Sequence, residues 1–155
     1  MIKLLSGASF AALALAASTA QGQTVGVNAA VVNDVRMKTQ AQAQPQPARV
    51  KERVGLGNQI QTGRGSALQV LLLDRTNFQV GANARITVDK FVYDPNRSAS
   101  AVGVSVAKGA FRFMSGKPTK ANPGQSGIRT PVATIGIRGT IVEGVVGEDA
   151  IGIAS

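Results

Sequence analysis

The residue types that most often do chemistry are scarce in this sequence of 155 residues, which has no histidine and no cysteine. That removes Ser-His-Asp and Cys-His nucleophilic systems, His-ligated zinc and thiol redox chemistry. Carboxylate chemistry or a Ser-Lys pair is what remains. The eight acids are Asp34, Glu52, Asp74, Asp89, Asp94, Glu143, Glu148 and Asp149. Asp74 and Asp94 sit in turn-forming stretches, where a carboxylate bonding nearby backbone N–H groups is the ordinary arrangement. Glu148 and Asp149 follow Gly147, another turn position. Sequence leaves a paired-carboxylate glycosidase site open, but nothing favours one. A calcium loop needs several oxygen ligands at alternating positions, and Asp-Pro-Asn-Arg-Ser-Ala-Ser at 94–100 has too few. The expectation is a protein that is not an enzyme and holds no metal or cofactor.

One other stretch invites a chemical reading: Arg-Thr-Pro-Val-Ala-Thr-Ile-Gly-Ile-Arg-Gly-Thr, residues 129–140. A phosphate-binding loop needs Gly-x-x-x-x-Gly-Lys-Ser/Thr and a following helix, whose N-terminus supplies oriented N–H groups. Gly136-Ile137-Arg138-Gly139-Thr140 lacks that spacing, and Ile141 and Val142 continue as strand. Alternation accounts for it better. Ile135, Ile137 and Ile141 share one face with Gly139; Thr134, Gly136, Arg138 and Thr140 share the other. This predicts a core strand, with Gly139 leaving a gap on the apolar face or marking a bulge where another backbone comes close. Gly136 makes room for the Arg138 guanidinium to lie along the sheet, and Arg138 reads as a packed or paired structural residue.

Short apolar segments separated by turn residues must carry these positions, the pattern of an all-β protein. Aromatic residues make up 4% of the chain and tryptophan is absent, so a core must come from Val, Ile, Leu and Ala, which suits strands. The first twenty residues have Lys3, an apolar run and small residues at Ser18 and Ala20, as in a secretory signal peptide cleaved after Ala20. The run from Leu4 to Ala17 is too short to span a membrane, and no later segment is long enough. Residues 21–155 then form a single domain. Its first strand runs over 25–33, extended by Val35 and Met37, and a Gln- and Pro-rich stretch at about 39–49 is an exposed excursion. Residues 67–73 are apolar at nearly every position, which predicts cover on both faces. Asp74 begins a reversal, and half-buried strands carry Phe78, Val80, Ile86 and Val88, with a turn at 81–84. Val102, Val104 and Val106 share a face; a turn at Lys108-Gly109 leads to Phe111 and Phe113, with Arg112 opposite. Residues 116–127, rich in Gly, Pro and Lys, form an exposed, mobile loop. The last residues still read as strand, turn, strand, which suits a longer natural product.

The formal charge is +9, and residues 95–142 contain no acid. Arg97, Lys108, Arg112, Lys117, Lys120 and Arg129, with Arg138, form a candidate basic surface for an acidic protein face, acidic glycan or lipopolysaccharide. A solvated basic face without a partner is the plainer alternative. Nucleic acid fits poorly, because the chain is exported and lacks aromatic platforms among its basic residues.

Three segments together resemble the FecR domain. Residues 129–140 carry its Thr-Pro-x-Ala-x-x-Gly-x-Arg-Gly-Thr signature at Thr130, Pro131, Ala133, Gly136, Arg138, Gly139 and Thr140. Residues 54–95 are similar to the family's middle section, and 107–116 to its strand-Gly-Phe-x-Phe segment. One departure is Asp74-Arg75-Thr76, where the family often has Asp-Gly-Thr; an arginine there implies a different or strained turn. The iron-signalling regulators of the family also have a cytoplasmic segment, a membrane helix and a further C-terminal region; here a cleavable signal is expected in place of the first two, and the third would follow Ser155. The resemblance implies an all-β domain, a sandwich-like or rolled, solenoidal two-sheet fold preceded by a signal-peptide helix, periplasmic or secreted. It implies a protein- or glycan-binding module in envelope signalling, with a structural scaffold as the alternative.

Overall fold

The computed structural model describes residues 22–147 and the backbone of 151–154. Residues 1–20, expected to be a signal peptide, and Glu148 and Asp149 lie outside the described residues. The strands are β1 (Thr24–Val32), β2 (Val35–Lys38), β3 (Gln46–Pro47), β4 (Arg53–Gly55), β5 (Gln59–Thr62), β6 (Ala67–Leu72) and β7 (Asn77–Val80). They continue with β8 (Arg85–Asp94), β9 (Ala99–Met114), the short helix α1 (Lys117–Ala121), β10 (Ser126–Arg129), β11 (Thr134–Ile137), β12 (Ile141–Val146) and β13 (Ile151–Ala154). The expected all-β class holds: the strands form one curled, largely antiparallel half-barrel.

Two wings share β9. The first runs β3-β2-β5-β8-β9 and continues through β10, parallel to β9, to β11. The second runs β9-β7-β6-β1-β4, with β12 and β13 beside the C-terminal half of β9. β9 serves both because its inward face changes parity. Ser100, Val102, Val104 and Val106 are buried, then Phe111 and Phe113. The switch falls at Lys108-Gly109, where the sequence predicts a turn; instead the strand runs on, with Gly109 at φ +95°. Glycine alone adopts that conformation readily. A side chain there would also overlap Ala84.

The core lies inside the curl. Phe78 meets Phe113 edge-on at 6.1 Å and Phe111 in a stacked pose at 6.3 Å, with Val25, Ile60, Val70, Ile86 and Ile128 also buried. Residues 67–73 depart from expectation. Leu68, Val70 and Leu72 are buried, whereas Leu71 is 41% and Leu73 53% exposed, so this segment is covered on one face only.

The β6–β7 hairpin closes through Arg75 N–H to Leu72 O (3.0 Å) and Leu72 N–H to Thr76 O (2.9 Å), with Arg75 at φ +67°. This three-residue loop places its third residue in the left-handed region, which favours glycine. Of the two expectations for Arg75, strain is the one observed. Arg75→Gly is therefore expected to stabilise the protein by about 1 kcal/mol, the left-handed penalty less glycine's added unfolded-state entropy. Urea denaturation checks this; a loss of stability would contradict it.

Candidate functional site

Asp74 is fully buried and organises the loop that carries two of the candidate basic residues. Its Oδ1 accepts the Thr76 N–H (3.0 Å). Its Oδ2 accepts the hydroxyls of Ser100 (2.5 Å), Thr119 (2.6 Å) and Thr76 (3.0 Å). Gly116 N–H donates to Thr76 Oγ1 (3.2 Å), and a Cβ at Gly116 would overlap the Asp74 carbonyl. The carboxylate thus ties the β6–β7 turn, the start of β9 and α1 together. Residues 116–127 are anchored rather than wholly exposed: Gly116, Thr119 and Ser126 are buried. Among the described residues, five more acids are also engaged, Glu52 by accepting the Arg49 N–H (2.8 Å). Asp34 pairs with Arg36, Asp94 with Arg97 and Glu143 with Arg112, and Asp89 accepts the Ser105 hydroxyl.

The basic residues of 95–142 do not form one face. Arg97 sits in the β8–β9 turn, and Lys117 and Lys120 lie on α1, which reaches that turn through Asn122 Nδ2 to Ser98 O (3.0 Å). Lys108 lies at the β9 bend opposite Arg85 of β8. Arg112 is on the outer face of the second wing, 3.6 Å from Glu143. Arg129 stands apart on β10, between Ser105 of β9 and Thr134 of β11. The long β9 separates them: at about 3.3 Å per residue, Ala99 and Arg112 are some 40 Å apart along the strand.

Around Arg129 the first wing has a distinctive outer surface. Gly103 of β9, Gly127 of β10 and Gly136 of β11 are directly paired, a row of bare backbone across three strands that begins at Lys90 of β8. A register shift between Val88 and Lys90 puts both Asp89 and Lys90 on the exposed side. Together with Gln125, Arg129 and Thr134 they line a shallow depression of about 270 Å³. Arg138 lies by its rim, with Nε 4.0 Å from where a Cβ on Gly124 would be. Among the described residues Lys90, Arg129 and Arg138 have no ion-pair partner. A larger hollow of about 400 Å³ on the second wing, lined by Val32, Ala67 and Ala110, is apolar apart from Gln69, Gln79 and the paired Arg112.

The signature residues divide into separate jobs. Thr130 and Ala133 close the β10–β11 hairpin through Thr130 N–H to Ala133 O (2.8 Å) and Ala133 N–H to Thr130 Oγ1 (3.1 Å). Pro131 and Val132 form the tip. β11 ends at Ile137, so no single strand spans 135–141. Residues 138–140 cross between the wings, held by Ser115, whose Oγ donates to Gly139 O (3.1 Å) and whose N–H donates to Thr140 O (2.8 Å). Ile137 is buried, Ile135 partly so, and Ile141 exposed. A Cβ on Gly136 or Gly139 would meet nothing within 4 Å, and neither has positive φ. The expected packing role for these glycines is therefore corrected. Arg138 is exposed and neither packed nor paired along the strand.

Sequence reading missed Lys90, Asp89, Gly103 and Gly127, because they reach the depression through cross-strand pairing and not through local spacing. The signal available was the β8–β9 hairpin, which brings residues before 95 beside those after it.

No curated protein and no solved structure gives a significant match to the chain. A family model described as FecR protein matches residues 58–153, from just before β5 to within β13. The match covers most of the chain, including the Asp74 hub, the glycine row and the signature, and on this ground the chain belongs to the FecR family.

Proposed function

We propose that this FecR domain is an exported, non-enzymatic binding module of the cell envelope. It takes an acidic protein or glycan on the outer face of the first wing, at Lys90, Arg129 and Arg138. The observation that carries this reading is the grouping of these three cations around a depression floored by glycines, where they outnumber its one carboxylate, Asp89. Family membership supports an envelope-signalling role. No helix among the described residues is long and apolar enough to cross a membrane.

The test is to crosslink tagged mature protein in the envelope at low and high salt. A partner captured in a salt-sensitive way, and lost in Arg129→Glu, is the expected result, because exposed charges are screened over about 10 Å at 0.1 M salt. Salt-insensitive capture, or capture unchanged in Arg129→Glu, contradicts it. Arg138→Ala should shift stability by no more than about 0.5 kcal/mol, as for an exposed residue without partners, while weakening capture. A larger loss of stability in urea denaturation would return Arg138 to a structural role.

A further inference from the structure

We infer that the outer edge of β11 accepts an extended acidic strand from a partner protein; this rests on the binding reading above and specifies the form of the ligand. β11 pairs only with β10 among the described strands. The Ala133 and Ile137 carbonyls accept the N–H groups of Thr130 (2.8 Å) and Gly124 (3.1 Å), so the odd-numbered residues face β10. Backbone polar groups alternate sides along a strand, so Thr134 and Gly136 present N–H and C=O to the open edge.

Exposed edges are normally blunted by shortness, proline or charge. Of the other edges among the described strands, β3 has two residues and contains Pro47 and β4 has three, beginning at Arg53, while β13 (Ile151–Ala154) shares the unblunted composition but lies away from the basic cluster, beside β12. Thr134-Ile135-Gly136-Ile137 has neither proline nor charge. Gly136 sharpens the contrast, since neither its φ nor its surroundings require glycine and a β-branched residue would suit a strand better. A bare glycine does permit close approach of another backbone. Val132, 77% exposed at the hairpin tip, offers an apolar contact at one end of the edge.

Charge decides between occupants. Arg138 directly follows β11, Arg129 lies one strand in beside Thr134, and the whole chain carries +9, so a second copy would bring like charge against like. A strand bearing carboxylates is attracted, with main-chain bonds giving affinity as in other strand-addition complexes.

The probe is a blocked octapeptide alternating Glu with Val and Thr, compared with the same peptide N-methylated at alternate amides and with polygalacturonate. Amide NMR of the mature protein should show shifts and exchange protection at Thr134 and Gly136. Affinity should fall at least tenfold for the N-methylated peptide and for Gly136→Pro, which removes an edge-facing N–H while leaving the Ile128–Ile135 pairing in place. The N-methylated peptide keeps the test decisive should Gly136→Pro misfold. Equal affinity of both peptides, or protection at another edge, overturns the inference. If polygalacturonate binds in an Arg129-dependent way and the peptide does not, strand addition fails while the basic-face reading stands. If neither binds, both fail.

Discussion

Asp74→Ala is expected to lower the free energy of unfolding by about 4 kcal/mol, at the upper end of what single substitutions do. The estimate follows from the groups left behind. The hydroxyls of Thr76, Ser100 and Thr119 and the N–H of Thr76 all lose an acceptor in a region closed to water. Each orphaned buried donor costs about 1–3 kcal/mol, reduced where hydroxyls rotate to one another, as Thr76 and Thr119 can at 3.1 Å. Removing single hydroxyls, as in Ser100→Ala or Thr119→Val, should cost about 1 kcal/mol each, because the carboxylate keeps its other donors. Urea denaturation gives the comparison, and hydrogen exchange should show residues 116–122 losing protection first. A loss below about 1 kcal/mol for Asp74→Ala, against that orphaned-donor cost, would mean the hub does not hold α1 to the sheet.

Gly109→Ala is expected to cost at least about 3 kcal/mol through two mechanisms that add. The left-handed backbone at φ +95° is unfavourable for any residue with a Cβ, at about 1–2 kcal/mol. The new methyl also overlaps both Cα and Cβ of Ala84, which is itself buried and cannot swing aside. Relief requires moving β9 from the 81–84 turn at the point where the strand passes between wings. Gly65→Ala separates the two mechanisms. Gly65 has φ +60° with nothing within 4 Å of an added Cβ, so it should lose only the backbone share, about 1 kcal/mol. Equal losses at the two positions would show that the β9 bend does not depend on close approach at Gly109.

Much of the architecture was legible because it follows from two-residue periodicity. Val102, Val104, Val106, Phe111 and Phe113 all face inward as alternation requires. The register between the two sets was misread: Lys108-Gly109 resembles a turn by composition, but a bend that reverses parity and a turn that reverses direction use the same residue types. Leu71 and Leu73 were misassigned for a related reason. A continuous apolar run predicts burial only if a second layer exists, and sequence alone does not show whether one does. Asp74 was correctly placed in a turn bonding a nearby N–H, but its links to Ser100 and Thr119 span 26 and 45 residues and have no local signature.

The candidate site was the least legible part. The acid-free stretch 95–142 drew attention to seven cations as a group, yet β9 and α1 distribute them to different places. The cation missed, Lys90, comes to the site through a register shift that only pairing with Gly103 reveals. The signature marks the family correctly, and its glycines matter for what they leave bare.

The partner is expected to meet the first wing along β11. Photo-crosslinking in the intact envelope tests it most directly, with a photoreactive residue at Val132 beside β11 or at Val145 on the second wing, 77% and 55% exposed respectively. The expected result is a discrete adduct from position 132, weakened by Arg129→Glu, and none from 145. An adduct from 145 without one from 132, or no adduct from either, would contradict it.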